Sequence, residues 1–256
     1  PAAILQIEAA YLLEFGASAG LNLYAEHRRY TLRWPEGPAI DLGRASATQF
    51  EIPCTGTQVP PPPAAATAGP EILLRRGADA SPVDLNNPET EQVLAACIWG
   101  DQPHRLQRLR EGFALHRKLV EASNEPSAEV ERRVFPEDTQ AFLGESLPAT
   151  PRVPVILFDT YFTAYLNDVD LRGLEREVHA FARNWTLRHG LPWLWSRFEP
   201  ARAGEDSPHT GWCRWFVDTW SRGRHRRIEL GWAHPHLVRV EFGPGLAELE
   251  SLRGPE

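Results

Sequence analysis

Residues 11–23 read YLLEFGASAGLNL. Tyr11 to Phe15 is a short apolar run of the kind a buried strand requires, and it carries Glu14 just before its end. Gly16-Ala17-Ser18-Ala19-Gly20 then turns the chain into a predicted helix containing Leu21, Leu23 and Tyr24. Small residues matter at such a turn for a steric reason. With no Cβ, or only a methyl, the backbone admits a ligand and leaves its amides free at the positive end of a helix. The segment therefore predicts the first strand, turn and helix of a Rossmann-like sheet, at the carboxyl edge where ligands bind.

Outward from this turn, strands alternate with helices. Short strands are predicted at 29–34, 50–54, 71–75, 130–135, 153–158 and 192–198. The VPVILF run at 153–158 suits a strand covered on both faces. Helices are predicted from an Asn87 N-cap with Pro88 at the first helical position, from near Asp101, at 140–147 and at 171–189. Residues 227–233 and 237–242 flank His234-Pro235-His236 and read as a hairpin. The pattern predicts an α/β fold, with a mostly parallel sheet flanked by helices and a C-terminal antiparallel hairpin. Residues 1–256 are expected to form one domain, with the VPPPPAAATAGP stretch at 59–70 as an extended surface connection within it.

The whole chain sets further bounds. Its 256 residues, 42% hydrophobic and 24% charged, suffice for a sizeable core. No stretch approaches the roughly 18 to 20 apolar residues needed to span a bilayer, and the opening residues carry no basic leader, so a cytoplasmic location is expected. Cys54, Cys97 and Cys213 form no CxxC pair, which argues for buried free thiols over a disulfide framework or a zinc ribbon. A net charge of −7 argues against nucleic acid as a partner and leaves RGRHRR at 222–227 as a solvated patch. Lys118 is the only lysine, a sign of GC-rich coding, and the absence of methionine together with the starting proline suggests a missing N-terminal helical segment.

Two chemistries share the glycine turn. Read as E-x-G-x-S-x-G, it resembles the first motif of S-adenosylmethionine-dependent methyltransferases, with serine at the middle glycine. That resemblance implies a cofactor cradle of Glu14, Gly16, Ala17, Ser18, Gly20 and Asn22, with the glycines and Ser18 under the amino acid part of S-adenosylmethionine. Read as G-x-S-x-G, the same turn is similar to the nucleophile elbow of α/β-hydrolases. Ser18 would then attack, Asp159 or Asp168 would orient, and His234 or His236 would act as base. The early position of the turn and the lack of an upstream oxyanion loop favour the cradle. A dinucleotide site is disfavoured because GASAGLN lacks the G-x-G-x-x-G spacing.

LLEFGASAGLNL at 12–23, RRGADASPVDLNN at 75–87, IWGDQPHRLQRL at 98–109, FDTYFTAYL at 158–166, WLWSRFEP at 193–200 and AHPH at 233–236 occur in this order. Together they resemble the bacterial family DUF2332 over nearly the whole chain. The resemblance implies architecture rather than a reaction.

Other candidates follow from position. Asp79 and Asp84 lie with Arg76 in a loop after a strand, where a carboxylate accepts from ribose hydroxyls or an amine, or forms Asx turns. Asp159, Thr160 and Tyr161 end the 153–158 strand and face the predicted crevice, and Glu199 ends the next as a candidate base. Asp101 reads as a helix cap, Arg105 as an ion-pair or anion contact, and His234 and His236 as structural rather than metal-binding residues, so no metal is expected. The expectation is a methyltransferase acting on a small molecule, against a serine hydrolase and a non-catalytic binding protein.

Overall fold

The computed structural model describes residues 1–44, 49–59, 67–122, 127–202 and 207–253, so most of the 59–70 connection lies outside the described residues. β1 (Ala9–Phe15) leads through a 3-10 segment (Leu21–His27) into β2 (Arg29–Arg33), β3 (Ile40–Leu42) and β4 (Gln49–Gly56). β5 (Glu71–Asp79), α1 (Thr90–Ala96), α2 (Pro103–Ala122), β6 (Ala128–Arg132) and α3 (Thr139–Ser146) follow. Then come β7 (Val155–Thr160), a short 3-10 turn (Thr163–Tyr165), α4 (Asp168–His189), β8 (Trp193–Pro200), β9 (Cys213–Ser221), β10 (Arg224–Ala233), β11 (Val240–Phe242) and α5 (Gly245–Glu250).

The strands form one sheet in the order β3-β2-β4-β11-β10-β9-β8-β7-β1-β5-β6. From β6 to β8 every neighbouring pair is parallel. β8, β9, β10 and β11 then run antiparallel in turn, so the predicted terminal hairpin is real but one strand short of the observed meander. β9 lies in residues for which no element was predicted, and the turn before β10 opens the stretch read as a solvated charged patch. Arg222 and Gly223 turn the chain there with φ of 49° and 76°, the doubly left-handed geometry of a tight hairpin. The protein is thus a mixed α/β molecule with a large, mostly parallel sheet, flanking helices and antiparallel strands near its C-terminal end.

This sheet curls. Laid flat, β2 and β5 would stand eight strand spacings apart, roughly 38 Å. Yet the buried Arg75 of β5 donates to Leu23 O at 2.6 Å and meets Glu26 at 2.5 Å, and β2 begins at Arg29, a few residues on. The two ends of the sheet order are therefore brought together. The inside of the bend is filled by Leu32, Ile52, Leu194, Val217, Ile228 and Phe242.

A second core lies on the opposite face, where Leu13, Phe15, Leu157, Trp193, Trp195 and Trp220 pack on Leu174, Val178 and Ala182 of α4. α4 has the sequence signals such a helix needs. Asn167 accepts from the amides of Val169 and Asp170, two acids occupy the first turn, and Gly190 ends the helix at φ 69°. No helix among the described residues is long and apolar enough to cross a membrane.

Candidate functional site

In the parallel block the strand order reverses between β1 and β7, and chain direction brings the carboxyl ends of β1, β5, β7 and β8 to one edge. Crevices at such reversals are where open α/β sheets bind ligands. The glycine turn sits there. Its conformation needs residues that tolerate positive φ: Gly16 at 69°, Ser18 at 51° and Gly20 at 71°.

The amides expected to be free are already engaged. Gly16 and Ala17 donate to Ala78 O at 2.8 and 3.1 Å, Gly20 donates to Ala17 O at 2.7 Å, and Ser18 donates to Asp79 Oδ2 at 2.9 Å. The predicted helix after the turn is also corrected. It is a 3-10 segment kinked at Tyr24, entered through Gly20 in the left-handed region without a side-chain cap. A Cβ on Gly16 would meet Phe162 at 2.8 Å, and one on Gly20 would meet Val130 at 2.8 Å, so side chains from the β6 and β7 ends cover the turn.

Strand alternation divides the predicted carboxylates between the two sheet faces. Glu14 lies on the face of Leu12 and the 3-10 segment, fully buried, and accepts from Asn22 Nδ2 at 3.1 Å through Oε1. Its Oε2 has no donor among the described residues. Burial pushes the Glu14 carboxyl up to about 8, and Asn22 and Arg28 only partly offset this. Asp79, the last residue of β5, ties the turn to the next loop by accepting from Ser18 N and Ser81 N. The exposed Asp84 instead accepts from Asn86 N at 2.8 Å, the Asx turn weighed for it above.

Asp159 and Glu199 belong to the α4 side. Glu199 Oε1 accepts from the amides of Phe162 and Thr163 at 2.9 and 3.1 Å, fixing the loop after β7. Asp159 accepts from Trp195 Nε1 at 2.5 Å, and Arg197 Nε stands 3.8 Å away. Asp159 Oδ1 and Glu199 Oε2 receive no donor among the described residues. Burial and then the neighbouring Glu199 raise the Asp159 carboxyl well above its ordinary range, against the pull of Arg197. Tyr161, partly exposed between them, holds a positive φ of 62°.

The network continues under α4. Arg197 reaches Glu175 at 2.5 Å and lies between the rings of Trp195 and Phe216, while Arg227 bridges Glu175 and Asp218. Beside it His179, Asp218 and His225 place one ligand-type atom each within 4.8 Å of one another. Arg227 and His225 already engage both oxygens of Asp218. In the sequence Glu175 and Arg227 read as ordinary charges.

The hydrolase constellation is not assembled. The Ser18 hydroxyl has no hydrogen-bonding partner among the described residues, Asp168 pairs with Arg202 at 2.7 Å, and Asp159 is sealed against Trp195. His234 and His236 contact each other, and Arg108 donates to His236 O. Of the three thiols, Cys54 and Cys213 are buried as expected and pushed by burial up to about 11 and 12, whereas Cys97 is exposed. A cleft of about 1010 Å³ opens at the opposite sheet edge, lined by Leu5, Ile7, Leu194, Arg224 and Arg226 among others.

Residues 3–242 match the model of the family DUF2332, described as an uncharacterized protein conserved in bacteria. No curated protein matches the chain.

Proposed function

Since the chain belongs to the DUF2332 family, whose description fixes no chemistry, we propose from the site itself that it binds S-adenosylmethionine and methylates a small molecule. The observation that carries this reading is the convergence of Glu14, the glycine turn and Asp79 at the carboxyl ends of adjacent parallel strands. The order β6-β5-β1-β7-β8 with its reversal at β1 supports this reading, since ligands of Rossmann-like sheets bind at such a reversal, and so does the resemblance of the turn to the methyltransferase motif.

The residues fit the cofactor in two ways. Each Asp79 oxygen has accepted one amide, which leaves acceptor capacity for ribose hydroxyls. The orphaned Glu14 Oε2 is an acceptor for an ammonium group, which would supply the positive charge that its buried position lacks. The bound cofactor supplies an electrophilic methyl group. The protein's part is positioning, since methyl transfer gains mainly from holding the acceptor in line and excluding water. Phe162, over Gly16, must swing aside for the ligand, and it follows directly on the strained Tyr161.

The test is thermal unfolding with S-adenosylmethionine and with its homocysteine product. Saturation at a hundred times the dissociation constant stabilises a binder by about 2.7 kcal/mol. Asp79→Ala should weaken the response by tenfold or more in ligand concentration. An unchanged melting temperature with both compounds at millimolar concentration would refute the proposal.

A further inference from the structure

Away from the acids of the glycine turn, basic side chains from three separate elements gather at the same edge. Arg28 precedes β2, Arg105 and Arg108 lie on α2, and His234 and His236 follow β10. Arg108 Nη1 donates to His236 O at 3.1 Å and its guanidinium stacks 4.6 Å from the centre of the Phe50 ring, which itself stacks on Tyr30 at 5.2 Å. Arg28 donates to Leu21 O at 3.0 Å, and both it and Arg108 act on the Tyr30 hydroxyl. Arg28 also faces Glu14, which joins this cluster to the glycine turn. Among the described residues Arg105 donates only to Gln102 Oε1, at 2.7 Å.

All five groups are partly buried, and His104 adds a further basic side chain at the exposed start of α2. Among the described residues none of the six makes an ion pair with a carboxylate. The nearby acids are otherwise engaged, Glu111 by Gln107 and Glu26 by Arg75 and His27. First burial and then Arg105, His234, His104 and Arg108 hold His236 below its ordinary range. The backbone amide of His236 donates to His234 Nδ1 at 3.3 Å, which assigns the proton of neutral His234 to Nε2 and makes that atom a donor.

We infer that Arg28, Arg105, Arg108, His234 and His236 form a binding site for a phosphate-type oxyanion carried by a small molecule. The chemistry is complementary: three arginine forks and histidine donors gather where, among the described residues, no carboxylate forms an ion pair with them, and guanidinium groups bind such oxygens in charge-assisted pairs. A net charge of −7 keeps extended polyanions away while leaving this local field for a small one. The site depends on the methyltransferase reading only in making the anion part of the methyl acceptor.

The experiment is a titration of the full chain with inorganic phosphate, without cofactor, read by NMR on the histidine ring protons. Saturable shifts of His234 and His236 are expected, with the His236 titration midpoint moving upward as the anion offsets its cationic neighbours. Arg105→Gln, which removes a guanidinium bonded to Gln102, should weaken phosphate about tenfold, and Arg108→Gln by at least as much. Arg224→Gln, at the opposite edge, should bind as the parent does. Shifts that never saturate, or an Arg105→Gln protein that folds and binds phosphate unchanged, would overturn the site. Because no S-adenosylmethionine is present, this result and the cofactor test fail independently.

Discussion

Glu14 and the Asp159–Glu199 pair occupy the same edge of one sheet, yet the protein treats them oppositely. On the α4 side, the pair is locked by Trp195, two loop amides and Arg197, and its charge is passed on to Glu175 and Arg227. On the other face Glu14 has a single hydrogen bond from Asn22 and one oxygen with none. A carboxylate whose partners are all internal stabilises a loop. One left short of partners in a buried place costs stability, and on the proposed reading a bound ligand supplies the missing partner of Glu14. On that reading, the β7 and β8 ends are scaffold and the β1 and β5 ends are the working surface.

The strongest way to break this contrast is to remove the charge at the centre of the scaffold. Arg197 is nearly fully buried and meets Asp159, Glu175 and two aromatic rings. Arg197→Leu leaves buried carboxylates uncompensated, a loss of about 3 to 5 kcal/mol. Urea denaturation at pH 7 measures it. A loss below 1 kcal/mol would mean that the network is not the scaffold described.

Glu14 is the next largest effect and has the opposite sign at high pH. The folded protein holds the Glu14 proton to about pH 8, whereas the ordinary value is 4.5. Its contribution to stability is therefore fully present below pH 4.5 and is lost as pH rises to about 8. Glu14→Gln keeps the shape and an acceptor for Asn22 but cannot ionise. It should match the parent at pH 4.5 and exceed it by a few kcal/mol at pH 9, the two curves of stability against pH diverging between those limits. Parallel curves would show that Glu14 is not buried unpaired.

How far this division was legible depends on the distance over which partners act. The apolar run of β1, the small residues of the turn and Asp79 at the end of β5 are local patterns, and all reach the predicted edge. β5 itself was expected to stop at Arg75, because Arg76 and Gly77 open a polar segment, but Arg76 pairs with Glu129 of the neighbouring β6 at 2.7 Å and the strand runs on to Asp79. Arg75, inside the predicted strand, is tolerated as a buried charge since Leu23 O and Glu26, some fifty positions away in the chain, satisfy it. The 3-10 segment replaces a helix for a similar reason, its backbone being held by Arg75 and Arg28 from outside. β9 was hidden because its inward Asp218 looks like a surface residue until Arg227 and His225 are placed beside it. The Glu175–Arg197–Arg227 ladder links residues on three elements and has no local signature.

Asp79 sharpens the contrast at smaller amplitude. Its carboxylate organises two loops by accepting the Ser18 and Ser81 amides, both at the partly exposed edge. Asp79→Ala should cost about 2 kcal/mol and selectively speed hydrogen exchange at those two amides. Uniform loss of protection across β1 and β5 would instead make Asp79 part of the scaffold.

Ser18→Ala should be the mildest change of all. The side chain is exposed, its hydroxyl has no partner among the described residues, and alanine tolerates the left-handed φ of 51° about as poorly as serine does, so the strain is largely conserved. Stability should move by no more than about 0.5 kcal/mol. The same variant separates the two chemistries of the turn, since a cradle that presents backbone and Asp79 survives the loss of one hydroxyl, whereas a nucleophile does not. Retention of S-adenosylmethionine binding in Ser18→Ala, with no labelling of the parent protein by a fluorophosphonate, is the expected pair of results. Labelling of the parent at Ser18 that disappears in the variant would transfer the working surface from cofactor binding to acyl chemistry.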